Sequence, residues 1–186
     1  MRKNFGAKPW SYPQPVYIIG TYDKNGLPDA MNAAWGGISE VNEISFCLAK
    51  THKTVANIKE TGAFTVSIAT QEYMEACDYV GIVSGNKDKD KFEKAGFHHE
   101  KSEFVNAPII KELPMTLECK VKSYDDNTEI LKGEIVNVSI DESVLVDSKV
   151  DVKKLKPIVF DPVNMAYWNL GEKVGKAFND GKKIIK

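Results

Sequence analysis

No apolar run in this sequence approaches the roughly 20 residues that a membrane-spanning helix needs, so a helical membrane protein is not expected. Net charge is almost absent as well. Lys and Arg total 25 against 26 Asp and Glu, a formal charge of −1, which supplies no global field for nucleic acid or an acidic membrane surface. Cysteine is scarce: Cys47, Cys77 and Cys119 are odd in number and widely spaced. They build neither a disulfide framework nor a zinc pattern, and no Cys-x-x-Cys pair points to thiol redox chemistry. A Gly-x-Gly-x-x-Gly fingerprint is missing too, so any nicotinamide would bind transiently rather than in a dedicated dinucleotide domain. Neither a catalytic triad nor a paired-carboxylate pattern appears, and no residue is assigned as catalytic. His98 and His99 are adjacent, so in a strand they point to opposite faces and cannot share one metal ion; no metal site is expected. The first residues, Met1 to Gly6, include basic side chains but no apolar h-region. The expectation is therefore a chain without a signal peptide, in the cytoplasm.

What is there suits one domain over residues 1–186. The chain has 186 residues, 42% hydrophobic and 27% charged, enough to support a sizeable core. Two prolines and the aromatics Trp10 and Tyr12 mark residues 1–14 as an irregular arm pinned by packing. Val16 to Tyr22 is almost continuously apolar and β-branched, the pattern of a strand buried on both faces. Asp23-Lys24-Asn25-Gly26 carries the Asn-Gly hairpin signal, and a second strand runs from Pro28 to about Ala34. Strands are also predicted over 43–50 and 64–69, where apolar residues alternate. Leu113 to Lys122 reads as a strand with its core face on the odd positions. Residues 129–141 read as a strand with a change of phase, hence a bulge, near Gly133.

Helices are predicted from Thr51 to Thr61-Gly62, with Gly62 in the left-handed cap position, and over 71–80. Gly81 and Gly85 then mark a loop, and short helices follow around Phe92 and over 151–155. Leu170, Val174 and Phe178 fall at i, i+4 and i+8, a helical stripe. At least six strand signals, hairpin turns, a bulge and a few helices give a mainly β fold, a barrel with helical additions.

Two stretches carry chemistry. Asn32-Ala33-Ala34-Trp35-Gly36-Gly37 is a corner of small residues where a flat ligand can approach the backbone closely. Asn32 can hydrogen-bond such a ligand's edge, and Trp35 offers an aromatic face. Lys50-Thr51-His52-Lys53-Thr54 begins the first helix, with Thr51 in the N-cap position. Free N–H groups, two hydroxyls and two lysines at a helix start make an anion site; an ordinary capped helix with solvated lysines would read the same way.

The order and spacing of five segments add to this. They are Pro15 to Asp23; Gly26-Leu-Pro-Asp-Ala-Met-Asn-Ala-Ala-Trp; Thr51-His-Lys-Thr-Val-Ala-Asn-Ile-Lys-Glu-Thr-Gly; Gly81-Ile-Val-Ser-Gly with Asp90-Lys-Phe; and Tyr167-Trp-Asn-Leu-Gly-Glu. Over roughly residues 9–178 the chain resembles the flavin reductase-like FMN-binding domain, in its flavoredoxin branch. The resemblance implies an FMN-binding split β-barrel, a homodimer, and FMN at or near the subunit interface. It implies that Asn32, Ala33, Ala34 and Trp35 line the ring, and that Lys50, Thr51, His52, Lys53 and Thr54 hold the ribityl and phosphate. Thr54 fits the family's motif at the start of that helix. Ser84, Gly85 and Lys91 would lie beside the ring's polar edge, where a cation favours the reduced, anionic flavin, with Asp88, Asp90 or neither as the acidic partner of Lys91. Tyr167 or Trp168 would close the site; packing alone would use Trp35, Tyr167 and Trp168 equally well.

The function so implied is an NAD(P)H-dependent flavin reductase, or a flavoredoxin-like carrier whose flavin is reduced by another redox protein. Haem, with His52 or His98 as axial ligand, is a third reading. No nucleic-acid or membrane partner is expected.

Overall fold

A computed structural model of the chain describes residues 1–185. Strands β1 (Gln14–Pro15), β2 (Tyr17–Tyr22), β3 (Pro28–Ala33), β4 (Gly36–Glu40) and β5 (Glu43–Cys47) precede helix α1 (Lys53–Thr61). Strand β6 (Ala63–Ile68) leads to helices α2 (Met74–Ile82) and α3 (Lys91–Lys94). Then come β7 (His99–Lys101), β8 (Pro108–Ile110), β9 (Met115–Asp125), β10 (Ile130–Ile140), β11 (Leu145–Val146) and β12 (Lys149–Val150). Helix α4 (Val152–Leu155), β13 (Ile158–Asp161) and β14 (Ala166–Asn169) follow. Among the described residues no helix is long and apolar enough to cross a membrane.

Seven strands form one sheet, antiparallel throughout, in the order β3-β2-β6-β9-β10-β5-β4. Its opposite edges, β3 and β4, are joined by only Ala34 and Trp35. Laid flat, seven strands about 4.8 Å apart would separate those edges by about 29 Å. The three peptide steps from Ala33 to Gly36 span at most about 11 Å. The sheet must therefore curl until its edges approach, and barrel form follows from this connection alone.

The continuous apolar run of β2 has the expected cause. Ile19 faces the barrel interior with Phe46, Phe64, Leu117 and Leu131, while Ile18 faces Cys77 and Val80 of α2 and Phe92 of α3. Val55 and Ile58 of α1 belong to the interior cluster; burying each is worth roughly 1.5–3 kcal/mol, which fixes the helix start against the barrel. Gly62 ends α1 at φ 68° and donates to the Ile58 carbonyl, as its sequence position predicts. The Asn25-Gly26 turn joins β2 to β3, and Asp151 caps α4 by accepting from the N–H groups of Lys153 and Lys154. At the start of β5, Ser39, Lys122 and Lys132 surround Glu43, and the Lys122 ammonium above all brings its carboxyl down to about 2.

Several expectations need correction. His52, not Thr51, is the N-cap of α1, and its side chain makes no capping bond. Thr51 lies one residue too early, inside a turn closed by the His52 N–H donating to the Ala49 carbonyl. Gly81 is not in a loop but in the last turn of α2. On β9 the even positions Thr116 and Glu118 are buried too, because Ser102, in the segment joining β7 to β8, donates to Glu118 and covers that face. The phase change in β10 arises from two register shifts, at Lys132/Gly133 and at Ile135/Asn137, and the extra residue of the second is Val136. The stripe Leu170, Val174, Phe178 is not helical: 170–176 has no regular structure and these three side chains are exposed. Gly171 and Gly175 interrupt it, and a short helix with no packed face does not hold together.

Candidate functional site

Edge strand β3 contacts α1, α2 and α3, and the side chains of interest gather there. β3 contributes Asn32, the start of α1 contributes His52, Lys53 and Thr54, the end of α2 and the loop after it contribute Ser84 and Gly85, and α3 contributes Lys91. These seven line one cleft of about 250 Å³, together with Met31 and the segment Val80–Val83. All seven are among the residues the sequence singled out.

The other seven lie outside that lining. Ala33 is buried in the barrel interior and Ala34 is half-buried. Trp35 and Trp168 are 57% and 60% exposed, and the Trp168 indole N–H donates to Asp161 at 3.3 Å. Lys50 and Thr51 are exposed at the approach to α1, where the Thr51 carbonyl accepts from the Asn86 amide at 2.9 Å. That bond ties the 84–90 loop to the helix start. Tyr167 reaches the cleft indirectly. Its hydroxyl donates to Asp78 at 2.7 Å and lies 3.5 Å from the Asn32 amide, which itself donates to the Cys77 carbonyl at 3.1 Å. Burial and the Asp78 carboxylate push the Tyr167 phenol well above its ordinary range, so it stays a donor.

The start of α1 is electropositive for three reasons. No side chain caps it, and no acid lies in its first turn. Among the described residues, the N–H groups of Lys53 and Thr54 donate to no protein acceptor. The helix dipole then adds its positive end to the His52 and Lys53 side chains. This donor set suits a phosphate-bearing ligand. The cleft is smaller than the roughly 300–1,000 Å³ that usually encloses a whole small molecule. It fits one end of such a ligand, and the rest would lie on more open surface. Larger depressions occur at Gln71–Tyr79, beside β8 to β10, and around Phe92–His99. The first holds the start of α2, which no side chain caps either, but Glu75 in its first turn and Glu72 beside it disfavour an anion there.

Lys91 is 3% exposed, and its ammonium donates to the Val80 and Val83 carbonyls at 3.3 and 3.1 Å, the open end of α2. Its acidic partner is neither Asp88 nor Asp90 but Asp29, at 3.3 Å. The reason is direction: Lys91 runs inward from α3, whereas Asp88 pairs with the exposed Lys94 at 2.8 Å. Asp29 also accepts the Thr54 hydroxyl at 2.6 Å. Sequence reasoning missed Asp29; the one available signal was an acid inside the strand predicted from Pro28 to about Ala34. His98 and His99 make separate contacts, with Glu112 and with Tyr22.

The flavin reductase like domain family matches residues 10–162 of this chain. The chain is similar to the flavoredoxin of Desulfovibrio vulgaris (Miyazaki F): 40% of residues are identical, the TM-score is 0.92, and the match covers 97% of this chain and 100% of that one. A flavoredoxin from Methanosarcina acetivorans is 28% identical with a TM-score of 0.86, over 99% of this chain and 98% of that one. An FMN-binding domain of a flavin reductases-like enzyme from Shewanella baltica has the same fold, with 17% identity and a TM-score of 0.79 over 88% and 89% of the two chains. The curled seven-stranded sheet is the split barrel that the resemblance implied.

Proposed function

Because this chain belongs to the flavin reductase-like domain family, in its flavoredoxin branch, we propose that it is an FMN-binding oxidoreductase working as an NAD(P)H-dependent flavin reductase. The observation that carries this reading is the cleft where the uncapped start of α1 meets His52, Lys53 and the buried Lys91. A bound flavin would supply the redox chemistry, hydride acceptance at N5 and transfer of one or two electrons. The protein's part is to hold and orient it. In this reading the N–H groups of Lys53 and Thr54, with the His52 and Lys53 side chains, take the phosphate. Asn32 and Ser84 address polar atoms farther along, and Lys91 adds a buried cation at the cleft floor. FMN suits the site better than FAD, since a terminal phosphate can sit against a helix start without a second nucleotide to accommodate.

Since the cleft holds only one end of FMN, the ring would extend toward the Ala34–Trp35 connection, and a second copy of the chain would cover it. Exposed apolar residues in both terminal arms, among them Phe5, Trp10, Val174 and Phe178, give that second copy something to bury.

The test is the visible absorption spectrum of the FMN-loaded protein under anaerobic conditions, before and after NADH or NADPH. Bleaching of the flavin bands by either nucleotide is the expected result. Bands that persist until dithionite is added would refute the reductase and leave an electron carrier served by another redox protein, the reading that similarity to two flavoredoxins favours next.

A further inference from the structure

Asp29 stands behind the cleft rather than in it. It is 6% exposed, and its two carboxylate oxygens serve two different elements. Oδ2 accepts the Thr54 hydroxyl of α1 at 2.6 Å; Oδ1 lies 3.3 Å from the Lys91 ammonium of α3. The backbone of Gly85 closes over this pair so tightly that a Cβ there would meet Asp29 Oδ1 at 2.5 Å and Lys53 Cγ at 3.1 Å.

Two consequences follow for any anion in the cleft. A threonine hydroxyl has one proton, and a carboxylate can only accept. With that proton given to Asp29, the Thr54 oxygen offers a ligand lone pairs alone, so it cannot grip a phosphate oxygen. The grip falls to the backbone N–H groups of Lys53 and Thr54 and to the side chains of His52 and Lys53. Secondly, the Asp29 charge offsets the Lys91 charge at the cleft floor, where little water screens either one.

We infer that Asp29 is a positioning residue that holds the site's affinity for a phosphate-bearing flavin below what its donors could reach, by withholding the Thr54 proton and offsetting Lys91. The inference rests on the flavoprotein reading above. It gives the buried acid a role opposite to that of a ligand or a simple scaffold: its removal strengthens anion binding.

The experiment is a fluorescence titration of FMN, with riboflavin as the phosphate-free control, against the wild type, Asp29→Asn, Lys91→Met and the double variant. A change of one unit charge beside a partly buried anion is expected to move FMN affinity by about fivefold. Asp29→Asn should bind FMN about fivefold more tightly and Lys91→Met about fivefold more weakly, and the double variant should return close to the wild type. Riboflavin affinity should change by less than about twofold in each. An Asp29 that merely supports the fold would give weaker binding in both single variants and the weakest in the double, which would overturn the inference. Should Asp29→Asn not fold, the double variant decides: recovery relative to Lys91→Met supports the inference, and no recovery overturns it. A wild type that binds no FMN would remove the flavoprotein reading itself, an outcome distinct from wild-type binding with the wrong signs in the variants.

Discussion

The Thr54 hydroxyl separates two accounts of the cleft, because it can give its single proton either to a phosphate or to Asp29. The structure gives it to Asp29, at 2.6 Å, from a residue only 1% exposed. Thr54→Val removes the hydroxyl and nearly keeps the shape. A hydrogen bond to a charged group contributes about 1.5–3 kcal/mol, and loss of one partner here leaves Asp29 with Lys91 alone. For a chain of this size each kcal/mol moves the thermal midpoint by about 2–4 °C, so the flavin-free variant should melt about 3–12 °C lower. Urea unfolding at neutral pH should show a lower midpoint with an unchanged slope. FMN affinity, titrated in parallel, should stay within about twofold, since valine keeps the backbone N–H groups and leaves the His52 and Lys53 side chains in place. Thr54→Ser should match the wild type in both measurements. The opposite pattern, unchanged stability with FMN binding weakened by about tenfold or more, would show that the hydroxyl serves the ligand and would refute the assignment of its proton.

Three other expectations rest on separate parts of the molecule. Gly85→Ala places a methyl group 2.5 Å from Asp29 Oδ1, so it should displace the 84–90 loop and lower both the melting midpoint and FMN affinity; a silent variant would mean that this loop yields freely. Glu43 has its carboxyl lowered from 4.5 to about 2, first by the Lys122 ammonium. A depressed carboxyl stabilises the fold above its unfolded value and loses that contribution as pH falls through the folded one. Glu43→Gln should therefore melt below the wild type at pH 7, and the gap should close between about pH 4.5 and pH 2; a gap independent of pH would refute the ion-pair origin. Cys47 is exposed, whereas burial pushes the Cys77 and Cys119 thiols up to about 12. A thiol reagent should label one cysteine quickly in the native protein and all three after unfolding; a second fast thiol would mean that α2 or β9 opens readily.

Features with a local cause were legible in the sequence. The Asn25-Gly26 turn, the left-handed Gly62, the short helix near 151–155 and the doubly buried Val16–Tyr22 run each follow from neighbouring residues alone. Of the site, Asn32, His52 to Thr54, Ser84, Gly85 and Lys91 could be named in advance, because the segments carrying them resemble a known domain. The Asp29–Lys91 pair could not, since it joins a strand to a short helix through a contact that the fold creates. Thr51 was misplaced as a cap because nothing local shows that the Ala49–His52 turn consumes it. The Leu170–Phe178 stripe misled for a related reason: period alone carries no information on whether a packed face exists to receive it.

The claim on which the rest depends is that the start of α1 holds the phosphate of a flavin. Titrating the purified protein with FMN and with riboflavin, and following the quenching of flavin fluorescence, tests it directly. The account requires saturable binding of FMN at one per chain, with riboflavin at least about tenfold weaker, since it lacks the group that draws charge-assisted hydrogen bonds. Equal affinity for the two flavins, or no saturable binding of either, would contradict it.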